Sequence, residues 1–299
     1  MMIVNNFVLG IAALLLSTAG LAADRIPVIA SFSILGDLVS VVGGDRVAVS
    51  TLVGPDQDAH VFEPRPAGVK LVAQAKLFVV NGLGFEGWLD RLTRSADFKG
   101  VTVVASRGIQ SRQMADEDHP SKLSSDPHAW QDPRNVIDYV RNIASALGEI
   151  DPAGAAYYQE NSQHYVEALK LLDAWAAGQY ATIPVAKRKL ITSHDAFAYH
   201  AARYDIAFLA PQGVSTESEP SAKEMAKFIR QIKHEKIKAV FMENMSNPRL
   251  LEQLAKGADV IPSGKLYSDA LSTADGPAPT YLKMMHYNVE QILSGLKQN

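Results

Sequence analysis

Between Ala155 and Ala177 the chain contains neither glycine nor proline, and just upstream Asp151-Pro152 has the form of a helix N-cap followed by proline at the first helical position. Such a run predicts one helix of about 35 Å at 1.5 Å per residue. Tyr158, Tyr165, Leu169, Leu172 and Ala176 mark its buried stripe. A helix of that length can cross from one lobe to another. A continuous helix also bends far less than a pair of loops, so it predicts limited hinge motion.

On either side of this run, short β-branched stretches alternate with amphipathic ones. Upstream, strands are predicted over residues 26–31, 47–52, 77–81 and 101–105, with helices near 33–42, 67–74 and 86–95. A further helix is expected from Pro133, where Asp132 caps it, to about Leu147, with Gly148 stopping it. Downstream, residues 189–193, 206–210, 238–242 and 258–262 read as strands, and Ser221-Ala222-Lys223-Glu224 fits a capping box. The alternation predicts an α/β fold of two lobes, each with a mostly parallel sheet flanked by helices, joined by one long rigid α-helix. The expected divisions are 1–23 as signal peptide, 24–150 as N-terminal lobe, 151–180 as linking helix and 181–299 as C-terminal lobe.

The signal peptide is read from an apolar run, residues 7–16, too short for a membrane span, followed by the small residues Gly20, Ala22 and Ala23. A net charge of -3 without any basic run excludes nucleic acid and anionic membrane as principal partners. The chain has no cysteine, which removes disulfides, thiolate metal sites, cysteine nucleophiles and a lipid anchor on an N-terminal cysteine. The expectation is therefore a soluble, monomeric periplasmic protein, exported by its signal peptide and not lipid-anchored.

Four residues are candidates for a site. His128 sits in the stiff loop 124–133, where Pro127 restricts Asp126 to extended backbone. His60 sits in a loop, 54–66, with three prolines, and Asp58 or Glu63 is placed to orient one ring nitrogen while the other binds a metal. His194 is the first residue beyond a predicted strand's carboxyl end, where ligand sites of parallel sheets lie. Asp269 has Leu266, Tyr267 and Leu271 for neighbours, so its carboxylate needs a cation or a donor network; a helix cap is the plainer role. Taken alone, each histidine also reads as an ordinary loop residue. Glu243 is read as holding loops together, or as a ligand, and Asp195 as support behind the site. His119 reads as a solvated residue of a mobile acidic loop, His200 as lying on the far side of a helix, and His164, His234 and His286 as background. Three imidazoles and one carboxylate suit Zn2+ better than manganese, which prefers more oxygen, and affinity is expected to fall below about pH 6 as histidines protonate.

The residues also carry a family likeness. Gly54-Pro55-Asp56, Asp58-Ala59-His60-Val61-Phe62-Glu63-Pro64, Asn81-Gly82-Leu83-Gly84-Phe85-Glu86, Asp126-Pro127-His128-Ala129-Trp130, Ser193-His194-Asp195-Ala196-Phe197, Glu219-Pro220-Ser221 and Tyr267-Ser268-Asp269-Ala270-Leu271 resemble, in order, the metal-specific substrate-binding proteins of ABC transporters. The resemblance implies metal held between two α/β lobes by His60, His128, His194 and Asp269, and delivery to an inner-membrane permease. Members associated with manganese commonly carry glutamate at the third position, so His194 marks a zinc-type member. Many zinc members have a histidine-rich loop before the second ligand, whereas residues 112–125 hold only His119, which leaves room for loading by a periplasmic metallochaperone. A manganese or iron carrier and a metal-stabilised surface adhesin are the alternatives. A zinc hydrolase is the weakest of these and no enzyme is expected, because four protein ligands leave no open position and no His-Glu-x-x-His occurs.

Overall fold

The computed structural model describes residues 25–115, 123–217 and 220–299. The expected signal peptide and His119 lie outside them.

The first lobe is built from β1 (Ile26–Phe32), α1 (Ser33–Gly43), β2 (Val47–Val53), α2 (Pro66–Gln74), β3 (Leu77–Val80), α3 (Leu89–Ala96) and β4 (Val101–Val104). The sheet runs β2-β1-β3-β4 and every pair is parallel. Its central strands are buried on both faces, so Val28, Ile29 and Ala30 of β1 and all of β3 read as continuous apolar runs without alternation. Helix α3 begins three residues later than the spacing predicts, because Glu86 is otherwise engaged. Its buried carboxylate accepts the Asn81 and Gly82 backbone N–H groups and the Ser31 hydroxyl, closing the left-handed turn Gly82-Leu83-Gly84.

The stretch read as a mobile loop contains an antiparallel pair, β5 (Gln113–Ala115) and β6 (Leu123–Ser125). Next, α4 (Pro133–Ile150) passes through Gly148 without stopping. A helical glycine costs only about 1 kcal/mol against alanine. Burial of Val136, Val140, Ile143 and Leu147 outweighs that.

The second lobe comprises β7 (Lys189–Ile191), α6 (Ala198–Tyr204), β8 (Ala207–Leu209), α7 (Ala222–Glu235), β9 (Phe241–Glu243), α8 (Pro248–Ala258) and β10 (Gly264–Leu266). β8 pairs with β7, a parallel bridge from Ile191 to Val240 carries the order on to β9, and β9 pairs with β10. The strand expected at 258–262 is corrected: Ala258 ends α8, Asp259 closes it in the left-handed region, and Ile261 is 86% exposed in the loop before β10. Asn247 and Pro248 supply the start of α8, and its buried Leu251, Leu254, Ala255 and Ala258 carry it to that point.

Two helices cross between the lobes. Helix α5 (Ala155–Ala181) buries Tyr158, Tyr165, Leu169 and Leu172 in the first core, then Ala176 and Tyr180 in the second. The last helix, α9 (Tyr281–Leu296), does the same in the same direction: Tyr281, Met284 and Met285 join the first core, Val289, Ile292, Leu293 and Leu296 the second. Each helix belongs to both hydrophobic cores, so relative movement of the lobes disrupts packing in both. Leu169 is fully buried on the stripe that the sequence marks. Leu169→Ala is expected to cost about 2–5 kcal/mol, read as a lower urea midpoint with unchanged slope.

Candidate metal centre

The carboxyl ends of the two parallel sheets face each other, and the loops that leave them converge. His60 follows β2, His128 follows β6 at the start of the short turn Ala129–Gln131, His194 follows β7 and Asp269 follows β10. One ligating atom from each of these four lies within 4.8 Å of the others. The Nε2 atoms of His60 and His128 are 3.3 Å apart, Asp269 Oδ2 is 3.2 Å from His60 Nε2 and 3.0 Å from His194 Nε2, and Asp269 Oδ1 is 3.6 Å from His128 Nε2. A tetrahedron of metal bonds of about 2.0–2.1 Å has edges of about 3.3 Å. Three of these four distances lie close to that edge, and the His128–Asp269 one is longer. Both Asp269 oxygens and His194 Nε2 are buried without a hydrogen bond among the described residues, the condition that a missing cation leaves.

Two of the three imidazoles are held from behind by a carboxylate. Asp126 Oδ1 accepts the His128 backbone N–H and lies 2.9 Å from its Nδ1. Glu243 does more for His194: Oε1 accepts the Ser193 and His194 backbone N–H groups, and Oε2 lies 2.5 Å from His194 Nδ1. A carboxylate behind a ligating imidazole fixes which nitrogen faces the metal and raises its basicity. Of the two roles read for Glu243, the structure gives it the supporting one. Asp58 does not orient the His60 ring; its Oδ1 accepts the His60 backbone N–H and its Oδ2 the Thr216 hydroxyl. Phe85 packs edge-on against both His60 and His128, and Trp130 against His128.

Asp269 is positioned from both lobes. The carbonyl of Ser268 accepts Trp130 Nε1–H at 2.9 Å and Gln131 Nε2–H at 2.7 Å, while its hydroxyl donates to Glu243 at 2.6 Å. Ser33 Oγ accepts the Leu271 N–H, and the Leu271 carbonyl accepts the Asp56 N–H. Thus Ser268 ties the Asp269 loop to the support of His194. The sequence signal for these partners is faint. Asp126 stands two residues before His128, a spacing that allows a turn-closing carboxylate, but nothing in the chain's order pairs Glu243 or Ser268 with His194.

The remaining histidines lie elsewhere. His200 is buried at the lobe seam, where burial pushes it down to about 4; the neutral ring donates Nδ1–H to the Gln131 carbonyl and accepts the Tyr180 hydroxyl. It braces the residue that clamps Ser268, rather than lying remote from the site as expected. His286 packs on Trp175, and His164 and His234 are exposed.

Electrostatics place protons in this cage when metal is absent. Burial, the largest influence, opposes charge on His128, yet Asp269 and Asp126 hold its pKa up at about 9. His194 lies well above the usual histidine range, because Glu243 and Asp269 outweigh its burial. Burial raises the Asp269 carboxyl, but His194 and His128 hold it well below the usual carboxylate range. A metal ion must therefore displace protons from both rings at neutral pH. The expected loss of affinity below about pH 6 moves upward: affinity should still be climbing with pH above neutrality. Calorimetric titration in buffers of different ionisation enthalpy should show proton release at pH 7, and buffer-independent heats would contradict it. Glu243→Gln, which keeps the shape and removes the charge, should weaken metal binding about 10–100-fold in chelator competition.

Comparisons with known proteins follow the same lines. The family model described as ZnuA, zinc-uptake complex component A periplasmic, matches residues 28–295. The chain is 32% identical to the manganese-binding lipoprotein MntA of Halalkalibacterium halodurans, covering 92% of this chain and 90% of that one. It is 32% identical to the iron-binding protein YfeA of Yersinia pestis, covering 95% and 93%. Among solved structures, it matches the periplasmic zinc binding protein TroA of Treponema pallidum with a TM-score of 0.85 at 27% identity, covering 91% of this chain and 99% of that one. These names correct the expectation of a periplasmic protein that is not lipid-anchored. MntA is a lipoprotein, as are SloC of Streptococcus mutans and PsaA of Streptococcus pneumoniae, each 28% identical over 93% of this chain. An exported carrier has to be retained, and a tether does this as well as a second membrane.

Proposed function

We propose, because this chain belongs to the ZnuA family of metal-binding ABC-transporter substrate-binding proteins, that the ion it carries to its membrane permease is zinc and that His60, His128, His194 and Asp269 are the four ligands. The family consists of transport proteins, not enzymes. The observation that carries the zinc reading is the donor set itself, three imidazole nitrogens and one carboxylate gathered within 4.8 Å, with contacts of 3.0–3.3 Å along three edges. Neutral imidazole suits a borderline ion, whereas manganese favours more oxygen. We further propose the division into an N-terminal lobe over 24–150, a linking helix over 151–180 and a C-terminal lobe over 181–299.

A second reading, manganese or iron, is favoured by the names of MntA and YfeA, which bind those metals. The two readings separate on metal analysis of the purified protein with competitive titration of zinc against manganese, on wild type and on His194→Ala. Zinc carriage predicts one tightly held equivalent, weak manganese binding, and a loss in the variant beyond the roughly 100-fold that follows from removing a mere support of a ligand. Preference for manganese in the wild type would replace zinc by the second reading. No stoichiometric metal at all would remove the ligand set itself.

A further inference from the structure

Of the four cage side chains, among the described residues, that of His60 alone is touched by solvent. The side chains of His128, His194 and Asp269 are 0% exposed, whereas His60 retains 6%. His60 also borders a solvent-open cavity of about 430 Å³, walled by Phe62, Glu63, Gly87, Trp88, Arg91 and Glu217 among others. Two acids face one base there, so the mouth is net negative and attracts a cation at low ionic strength.

The walls of this mouth are fixed. Trp88 Nε1–H donates to the Ala59 carbonyl at 3.0 Å, and the Phe62 and Trp88 rings meet edge to face at 4.9 Å. The Glu86 carboxylate pins the turn just before Trp88. The seam between the lobes is bonded as well. Thr216 reaches Asp58 at 2.7 Å beside His60, Asn244 reaches Asp56 at 2.9 Å, and Trp130 and Gln131 hold Ser268. Parting the lobes would break these bonds together and disturb both cores through α5 and α9. Displacing the His60 ring opens the cage into the mouth and leaves the other three ligands in place.

We propose that the metal ion enters and leaves past His60 through this mouth while the lobes stay closed on each other. The inference rests on the reading of the four residues as a metal cage. Gly87 supplies the test. It is exposed, its φ lies outside the left-handed region, and an added Cβ meets nothing within 4 Å. The sequence has no cysteine, so Gly87→Cys introduces a unique thiol that a bulky maleimide can cap after the full chain has folded. The unlabelled variant is the control for folding and for the cage.

With zinc as the probe and a fluorescent chelator as reporter, stopped flow gives loading and release rates before and after capping. Capping should slow both by the same factor, on the order of tenfold, and leave Kd unchanged, because a plug raises one barrier seen from both sides. Unchanged rates would overturn the proposal in favour of lobe separation, and a change in Kd would overturn it by showing that the cap acts on the cage. Absence of stoichiometric zinc in the unlabelled protein would instead count against the cage reading, a separate failure.

Discussion

A charged carboxylate in a protein interior costs several kcal/mol unless partners surround it. Asp269 is such a group, fully buried and without a hydrogen-bond donor of its own among the described residues. Three imidazoles make it tolerable, their Nε2 atoms lying 3.0–3.6 Å from its oxygens. Much of the remaining architecture preserves that distance. Ser268 fixes the loop that carries Asp269, Glu243 and Asp126 fix two of the rings, and Trp130 and Gln131 bring the first lobe to the loop of the second. Protons occupy the cage in the absence of metal because the carboxylates outnumber what neutral rings can balance.

Long helices make this arrangement durable. A loop hinge would let the lobes sample many separations, and the imidazoles would have to be gathered at each encounter. With α5 and α9 each buried in both cores, the lobes keep one relation, and the ordering cost is met when the protein folds and not when the ion binds.

The parts of this design that are periodic could be read from the sequence. Breaker-free residues 155–177 gave the crossing helix, and β-branched runs ending in His or in polar loops gave the strands and the ends from which ligands project. What escaped is set by tertiary context. Gly148 looks like a stop, but the buried face of α4 overrides its weak propensity. Val260 and Ile261 look like a strand, but α8 ends only at Ala258 and the chain needs its turn there. Glu86 looks helical, yet three donors from the β1 and β3 ends claim its carboxylate. The four-residue cage was legible because its members sit at strand ends or in proline-stiffened loops. Glu243 was read as holding loops together, but which ring it serves was not legible, since it meets His194 across 49 residues, and Gln131 meets Ser268 across 137. Helix α9 as a second crossing escaped for the same reason, since periodicity shows that a helix is amphipathic and not which cores it enters.

Relatives of similar sequence and matching length bear names for manganese and iron, and a structural match bears one for zinc. The shared fold therefore does not select the metal. Selection must lie in the donors and in how firmly they are held. On the zinc reading, a larger, oxygen-preferring ion would need more ligands than four and would have to lengthen the three short edges of 3.0–3.3 Å, the His128–Asp269 contact being 3.6 Å already. Lengthening them means pushing His194 back against Glu243 and lifting Asp269 away from the Trp130–Gln131 clamp. Those supports are buried and hydrogen-bonded, so the expansion costs contacts that a small tetrahedral ion leaves intact. On that reading, the stiffness that keeps a lone carboxylate buried is also the property that would discriminate between ions.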